Sequence, residues 1–162
     1  MTLDADRLHR DSDWSAWHIA VAGIGVAGFA AADALMQLGA RVTIFDSTDG
    51  ERQRERAQIL EALGATVRLG HDDSLPGCDL LVVSPGLPPA HAVVQQALAS
   101  GTPVWGELEL AWRVRRSQSP AAWLCVTGTN GKTTTTLMLD SMLRAGGLRS
   151  VAAGNIGTSL VD

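Results

Sequence analysis

A short and largely apolar run, His18-Ile19-Ala20-Val21-Ala22, ends in Gly23-Ile24-Gly25-Val26-Ala27-Gly28, and an alanine-rich stretch continues to Gly39. This junction constrains the fold more than any other feature. An apolar run stopped by glycine suits a strand covered on both faces, the usual situation in a parallel sheet. The alanines favour helix and let it lie close to a sheet, with Phe29, Leu35 and Leu38 predicted on the inward side. In the G-x-G-x-x-G spacing, Gly23 allows the tight turn, Gly25 lets a ligand approach the backbone, and Gly28 permits close helix packing. The free N–H groups that open the helix attract anions.

The same rhythm continues along the chain. Residues 41–46 form a second predicted strand, 51–63 a helix stopped by Gly64, 66–69 a weaker strand, and 79–84 an apolar strand stopped by Pro85-Gly86. Residues 90–99 read as a helix broken by Gly101 and Pro103, and 107–115 as another. Beyond the small-residue break at 117–120, a strand is predicted at 123–127, a helix at 132–145 and a short strand at 150–153. The fold class is therefore α/β, with a Rossmann-like parallel-sheet domain over 1–117. Residues 118–162 are read as the start of a P-loop ATPase-type α/β domain. At about 45 residues this second unit is too small to bury a core alone, so the chain is expected to be a fragment. The first 16 residues read as polar and irregular, with structure expected from His18 onward.

Composition narrows the partners. The 162 residues carry a net charge of −4, with 46% hydrophobic and 19% charged, which fits a globular chain. Without a basic block, broad nucleic-acid or membrane-surface binding is not expected, whereas a local phosphate site needs only a few donors. Cys78 and Cys125 are too few for a disulfide scaffold and read as small buried hydrophobes. No apolar run approaches the roughly 20 residues of a membrane span, and a monomer in the cytoplasm is expected.

The first loop leaves its ligand open: a nicotinamide or flavin, another nucleotide-linked ligand, or none. Asp46, ending the second strand, could accept a hydrogen bond from a ribose hydroxyl or base edge, or serve as a turn residue. The second loop says more, because the only lysine of the chain falls inside it. Gly128-Thr129-Asn130-Gly131 would expose successive N–H groups to phosphate oxygens, Lys132 would reach the β/γ-phosphates, and the Thr133 hydroxyl would suit Mg²⁺. Thr134 could support a phosphate contact. Position 126, where the G-x-x-x-x-G-K-[ST] pattern has its first glycine, is Val126, which favours a shorter loop of the same kind. ATP and Mg²⁺ are the expected cofactors.

Val126-Thr127-Gly128-Thr129-Asn130-Gly131-Lys132-Thr133-Thr134 resembles the ATP-binding signature of the Mur ligases and folylpolyglutamate synthases. Ser84-Pro85-Gly86-Leu87-Pro88, Gly106-Glu107-Leu108-Glu109-Leu110 and Gly154-Asn155-Ile156-Gly157 extend the resemblance to the Mur ligases over nearly the whole chain. It implies an ATP-dependent amide-bond-forming enzyme of peptidoglycan synthesis, acting on UDP-N-acetylmuramoyl-L-alanine and D-glutamate. In the mechanism the resemblance implies, the substrate carboxylate would attack the γ-phosphoryl group of ATP, and the amino group of D-glutamate would displace phosphate from the acyl phosphate formed. Backbone groups of Val26, Ala27 and Gly28 would hold the diphosphate, although Ala27 replaces the family's usual threonine. Asp46 and Ser47 would contact the uracil end, Ser84, Pro85 and Gly86 would line the same cleft, and Asn155 would reach toward the muramoyl-peptide side. Lys132 and Thr133 would be the catalytic pair, as charge clamp and magnesium contact. The family's further catalytic groups would lie after Asp162, so the isolated chain is expected to show no turnover.

Two other classes compete. A nicotinamide-dependent oxidoreductase would use the first loop and leave residues 127–134 without a role, and a non-catalytic nucleotide-binding module would need neither the missing elements nor turnover. Among minor features, His9, His18, His71 and His91 suggest no metal site. Glu107 and Glu109 could point to a substrate cleft but read first as a solvated helix start, and Trp105, Trp112 and Trp123 read as packing at domain edges. Trp14 and Trp17 are read as covering a surface or acting at a contact.

Overall fold

Five strands pair only in parallel in the computed structural model, which describes residues 4–70 and 74–161. They are β1 (His18–Ala22), β2 (Arg41–Asp46), β3 (Thr66–Leu69), β4 (Leu80–Val83) and β5 (Val104–Gly106), in the spatial order β3-β2-β1-β4-β5. Helices α1 (Val26–Gln37), α2 (Glu51–Ala62), α3 (Ala92–Ser100) and α4 (Glu107–Val114) connect or follow them, and α5 (Lys132–Ala145) stands beyond. The predicted alternation is met throughout the first unit. Only β5 escapes the sequence, because three residues after Pro103 are too short a run to announce a strand.

Alternation along the strands sorts side chains onto two faces. Ile19, Val21, Val42, Ile44, Leu80 and Val82 pack with Ala31, Ala32 and Leu35 of α1, Leu60 of α2 and Leu110 of α4. Phe29 and Leu38 pack against the same core, as predicted. On the other face Ala20, Ala22, Phe45 and Leu81 meet Val93 and Ala97 of α3. The small alanines of β1 make room for the large residues opposite. Each fully buried Leu or Ile here contributes about 1.5–3 kcal/mol.

The N-terminal segment corrects the expectation of an irregular tail. Ala5, Leu8, Trp14 and Trp17 are buried in the larger core, Trp14 at 1% exposure. Its polar groups are used as well. The Arg10 N–H donates to Arg113 O (3.1 Å) and Arg10 Nη1 to Val114 O (3.0 Å), satisfying carbonyls at the end of α4 that have no partner within the helix. Trp14 Nε1 donates to His9 O (3.1 Å). Widely spaced apolar residues among charges carry no period, so nothing local marks the segment as buried.

Residues 118–162 depart further from expectation. Helix α5 matches its predicted bounds, but residues 123–127 and 150–153 are not strands. An apolar run becomes a strand only beside a partner edge, and the edges of this sheet are β3 and β5. Leu124 is 60% exposed, Cys125 is exposed and Cys78 only half-buried, against the reading of both cysteines as buried. No residue of α5 is buried, and Leu137, Met138 and Met142 face outward. Residues 115–131 hold neither helix nor strand.

Candidate functional site

Parallel strands align their C-terminal ends along one sheet edge. Here that edge carries the glycine loop after β1, Asp46 at the end of β2 with Ser47 after it, and Ser84, Pro85 and Gly86 after β4. The chain runs outward from β1 to β3 and then returns to lay β4 on the other side of β1. The strand order reverses there, which is where open α/β sheets bind ligands.

Packing explains the glycines. A Cβ on Gly28 would stand 1.8 Å from Gly23 O and 2.9 Å from Ser84 Oγ, so only glycine lets α1 approach the end of β1. Gly23 adopts φ +94° and its N–H donates to Phe45 O at 2.7 Å. Gly25 is different: a Cβ there meets nothing within 4 Å. The bare backbone at the head of α1 faces open space, and no side chain caps the helix. N–H groups of Val26, Ala27 and Gly28 open the first turn, where the helix dipole favours an anion.

Asp46 cross-links the edge. Its Oδ2 accepts the Ile24 N–H and its Oδ1 the Thr48 N–H, each at 2.8 Å. Arg56 Nη1 donates to Ile24 O at 3.0 Å, so both polar groups of this residue are held from the β2–α2 side. Ser84 Oγ donates to Gly23 O at 3.3 Å and ties the third segment to the same loop. A cleft of about 220 Å³ lies between them, lined by Gly23, Asp46, Ser47, Gly86 and, unforeseen from the sequence, His91. His91 opens α3 after Pro88-Pro89, and only the fold brings it there.

The second loop opens α5. Gly131, at φ +76°, is its N-cap and offers no side-chain cap, and Gly128 lies at φ +149°. Lys132 Nζ turns back to donate to Gly128 O (2.6 Å) and Thr129 O (3.3 Å). Thr129, Asn130, Thr133 and Thr134 are exposed around it. An exposed ammonium resting on loop carbonyls, beside uncapped helix N–H groups, fits a polyphosphate. Asn155 is exposed in a turn closed by Gly154 N–H to Thr158 O at 2.8 Å. Neither this turn nor the lysine loop is among the residues lining the cleft.

Glu107 corrects its sequence reading. It is 6% exposed, with Oε1 accepting from Ser159 Oγ (2.8 Å) and the Leu160 N–H (3.0 Å). Glu109 does stay partly solvated, paired with Arg113 at 2.7 Å. Trp105 is buried, while Trp112 meets Trp123 edge-on at 5.4 Å. His71, with Asp72 and Asp73 beside it, lies outside the described residues. Among the described residues no three or more His, Cys, Asp or Glu side chains gather as a metal site, and no helix is long and apolar enough to cross a membrane.

An open parallel sheet with a glycine loop at its switch point defines a Rossmann-like α/β domain. Residues 17–106 match the family described as Mur ligase MurD-like, N-terminal domain, and the chain belongs to that family. It is 53% identical over 154 residues to UDP-N-acetylmuramoylalanine–D-glutamate ligase of Streptomyces coelicolor, covering 93% of this chain and 33% of the relative. The ligase of the same name from Frankia casuarinae is 54% identical over 150 residues, covering 92% and 31%. The chain thus spans about a third of the length of the curated relatives it matches. Among solved structures, UDP-N-acetylmuramate-alanine ligase MurC from Thermotoga maritima aligns with TM-score 0.54 and 26% identity, over 79% of this chain and 29% of that one. The UDP-N-acetylmuramate:L-alanyl-gamma-D-glutamyl-meso-diaminopimelate ligase (MPL) from Neisseria meningitides aligns at 0.51 and 27%, over 85% and 41%.

Proposed function

We propose that residues 1–117 form the UDP-substrate-binding domain, and residues 118–162 the beginning of the ATP-binding domain, of an ATP-dependent ligase that joins D-glutamate to UDP-N-acetylmuramoyl-L-alanine. The observation that carries this is the meeting of Gly23, Asp46–Ser47 and Gly86 around one cleft, in a chain half identical to curated ligases of that name. The open backbone at Gly25 and the uncapped first turn of α1 suit a diphosphate. Asp46 and Ser47 line the cleft beside it, in reach of a uracil or ribose. As Asp46 already accepts two backbone N–H groups, its remaining lone pairs would serve the ligand while its main work is to hold the loop.

ATP supplies the phosphoryl group that activates the substrate carboxylate. Lys132 would exchange its contacts with Gly128 O and Thr129 O for phosphate oxygens, and the N–H groups at the head of α5 would add to the cradle. The cation and aligned dipoles offset the charge that builds on the transferring group, most strongly where water is excluded. Thr133 would contact Mg²⁺, Thr134 would support the phosphates, and Asn155 would face the muramoyl-peptide portion. A monomer in the cytoplasm suits such a substrate.

Calorimetric titration tests the assignment. UDP-N-acetylmuramoyl-L-alanine is expected to bind this chain, and NAD is not. Binding of NAD with no heat from the UDP-linked ligand at about millimolar concentration, the weak end of specific affinities, would return the first loop to a nicotinamide.

A further inference from the structure

The buried carboxylate of Glu107 has no part in the binding scheme above. It directly follows Gly106, the last residue of β5, and β5 runs parallel to β4. Glu107 therefore lies along the same sheet edge as the glycine loop, Asp46 and residues 84–86. Its two donors, Ser159 Oγ and the Leu160 N–H, come from 52 and 53 residues further along the chain, beyond α5.

A helix-end charge alone does not account for this. A carboxylate in the first turn of α4 is favoured by the positive end of the helix, but it gains that while solvated, as Glu109 does. Burying it is costly unless hydrogen bonds satisfy it. Here one oxygen takes both donors, Ser159 is itself 4% exposed, and Val161 packs against the core of the first unit. The Gly154 N–H to Thr158 O bond ends one residue before Ser159, so the turn carrying Asn155 is attached to the anchored residue. The same helix also receives Trp123 against Trp112.

We infer that Glu107 is a positioning residue whose carboxylate pins residues 154–160 to the binding edge of the sheet and thereby registers Asn155 with the cleft that takes the UDP end of the substrate. The role of the pin in binding rests on the function proposed above. The pin itself does not.

The test uses this chain, its Glu107→Gln, Glu107→Leu, Ser159→Ala and Asn155→Ala variants, hydrogen exchange by mass spectrometry, and titration with UDP and UDP-N-acetylmuramoyl-L-alanine. Gln keeps a carbonyl acceptor, whereas Leu keeps bulk without one. Glu107→Leu is expected to speed exchange across residues 154–161 while β1 and β4 stay protected. It should weaken the muramoyl ligand on the order of tenfold, as loss of hydrogen bonds to a charged acceptor does, and leave UDP unchanged. Glu107→Gln should stay within about threefold of wild type, and Ser159→Ala should show the same selective loss in smaller degree if Glu107→Leu fails to fold. Combining Glu107→Leu with Asn155→Ala should add little to either alone. Unchanged exchange at 154–161 in Glu107→Leu and Ser159→Ala would remove the pin. Equal weakening of UDP and the muramoyl ligand would leave a purely structural contact and overturn the positioning role. A wild-type chain that binds the muramoyl ligand no better than UDP would sink the functional reading and the positioning role with it, while the exchange data still decide whether the pin exists.

Discussion

The Asp46 carboxylate holds the Ile24 amide at 2.8 Å, joining the turn after β2 to the glycine loop after β1. Its other oxygen takes the Thr48 N–H, so the side chain needs two acceptors at once. Asparagine has one acceptor and would turn an NH₂ toward one of the two amides. Asp46→Asn is therefore expected to lower unfolding stability by about 1–2 kcal/mol in urea titration, with Asp46→Ala at least as severe. Both should weaken UDP binding. An Asn variant as stable as wild type would mean that the cross-link carries no energy.

Gly28 and Gly25, three residues apart in one motif, should respond oppositely. Alanine at 28 puts a methyl 1.8 Å from Gly23 O, and backbone cannot yield as a flexible side chain does. Gly28→Ala should lose about 3 kcal/mol or more, or fail to fold. Gly25 has extended backbone at φ −61° and open space where a methyl would stand, so Gly25→Ala should cost only about 0.5 kcal/mol. That methyl would occupy the approach to the α1 amides, and UDP affinity should fall at least tenfold, a loss of about 1.4 kcal/mol. Thermal melts separate the first pair of outcomes and calorimetry the second.

The strands and helices of the first unit were legible because each carried its own period and stop. Gly64 and Gly101 ended helices α2 and α3 where their φ values of +105° and +73° require glycine. What remained hidden depended on distant partners. Nothing local to Trp14 says that it will be buried in the larger core, and nothing beside Glu107 says that Ser159 will meet its carboxylate. The reverse error occurred at 123–127, where the residues have strand character but pair with neither edge of the sheet. The placement of Gly23 and Asp46 at the ends of neighbouring strands was legible from spacing. The hydrogen bond that makes Asp46 a cross-link and the arrival of His91 at the cleft were not, since both are set by strand order.

Lys132 separates stability from binding. Its ammonium is exposed and its contacts are with carbonyls of its own loop. Lys132→Ala should therefore shift unfolding stability by no more than about 0.5 kcal/mol. If the loop holds a polyphosphate, the same change should abolish retention of a fluorescent ATP analogue, and Lys132→Arg should not restore it, because a planar guanidinium cannot replace a compact ammonium there. Retention by Lys132→Ala equal to wild type would remove the lysine from the phosphate site.

His18 provides a pH dependence at the opposite end of the sheet. Burial is the main cause that pushes its imidazole below the ordinary histidine range; Arg41 adds to this and Asp79 opposes it. The Nε2 atom lies 2.9 Å from Thr43 Oγ1, and the His18 N–H donates to Asp79 Oδ2 at 2.8 Å. The folded chain thus prefers the neutral ring, and below about pH 6.5 the unfolded chain binds the additional proton. Stability from this group is fully present above that pH and is lost as pH falls toward the lower folded value. Thermal melts of wild type and His18→Gln at about pH 7.5 and 5.5, on either side of the ordinary value, should show the difference between them shifting against wild type in acid. A difference that stays constant over that interval would mean that the ring titrates alike in the folded and unfolded chain.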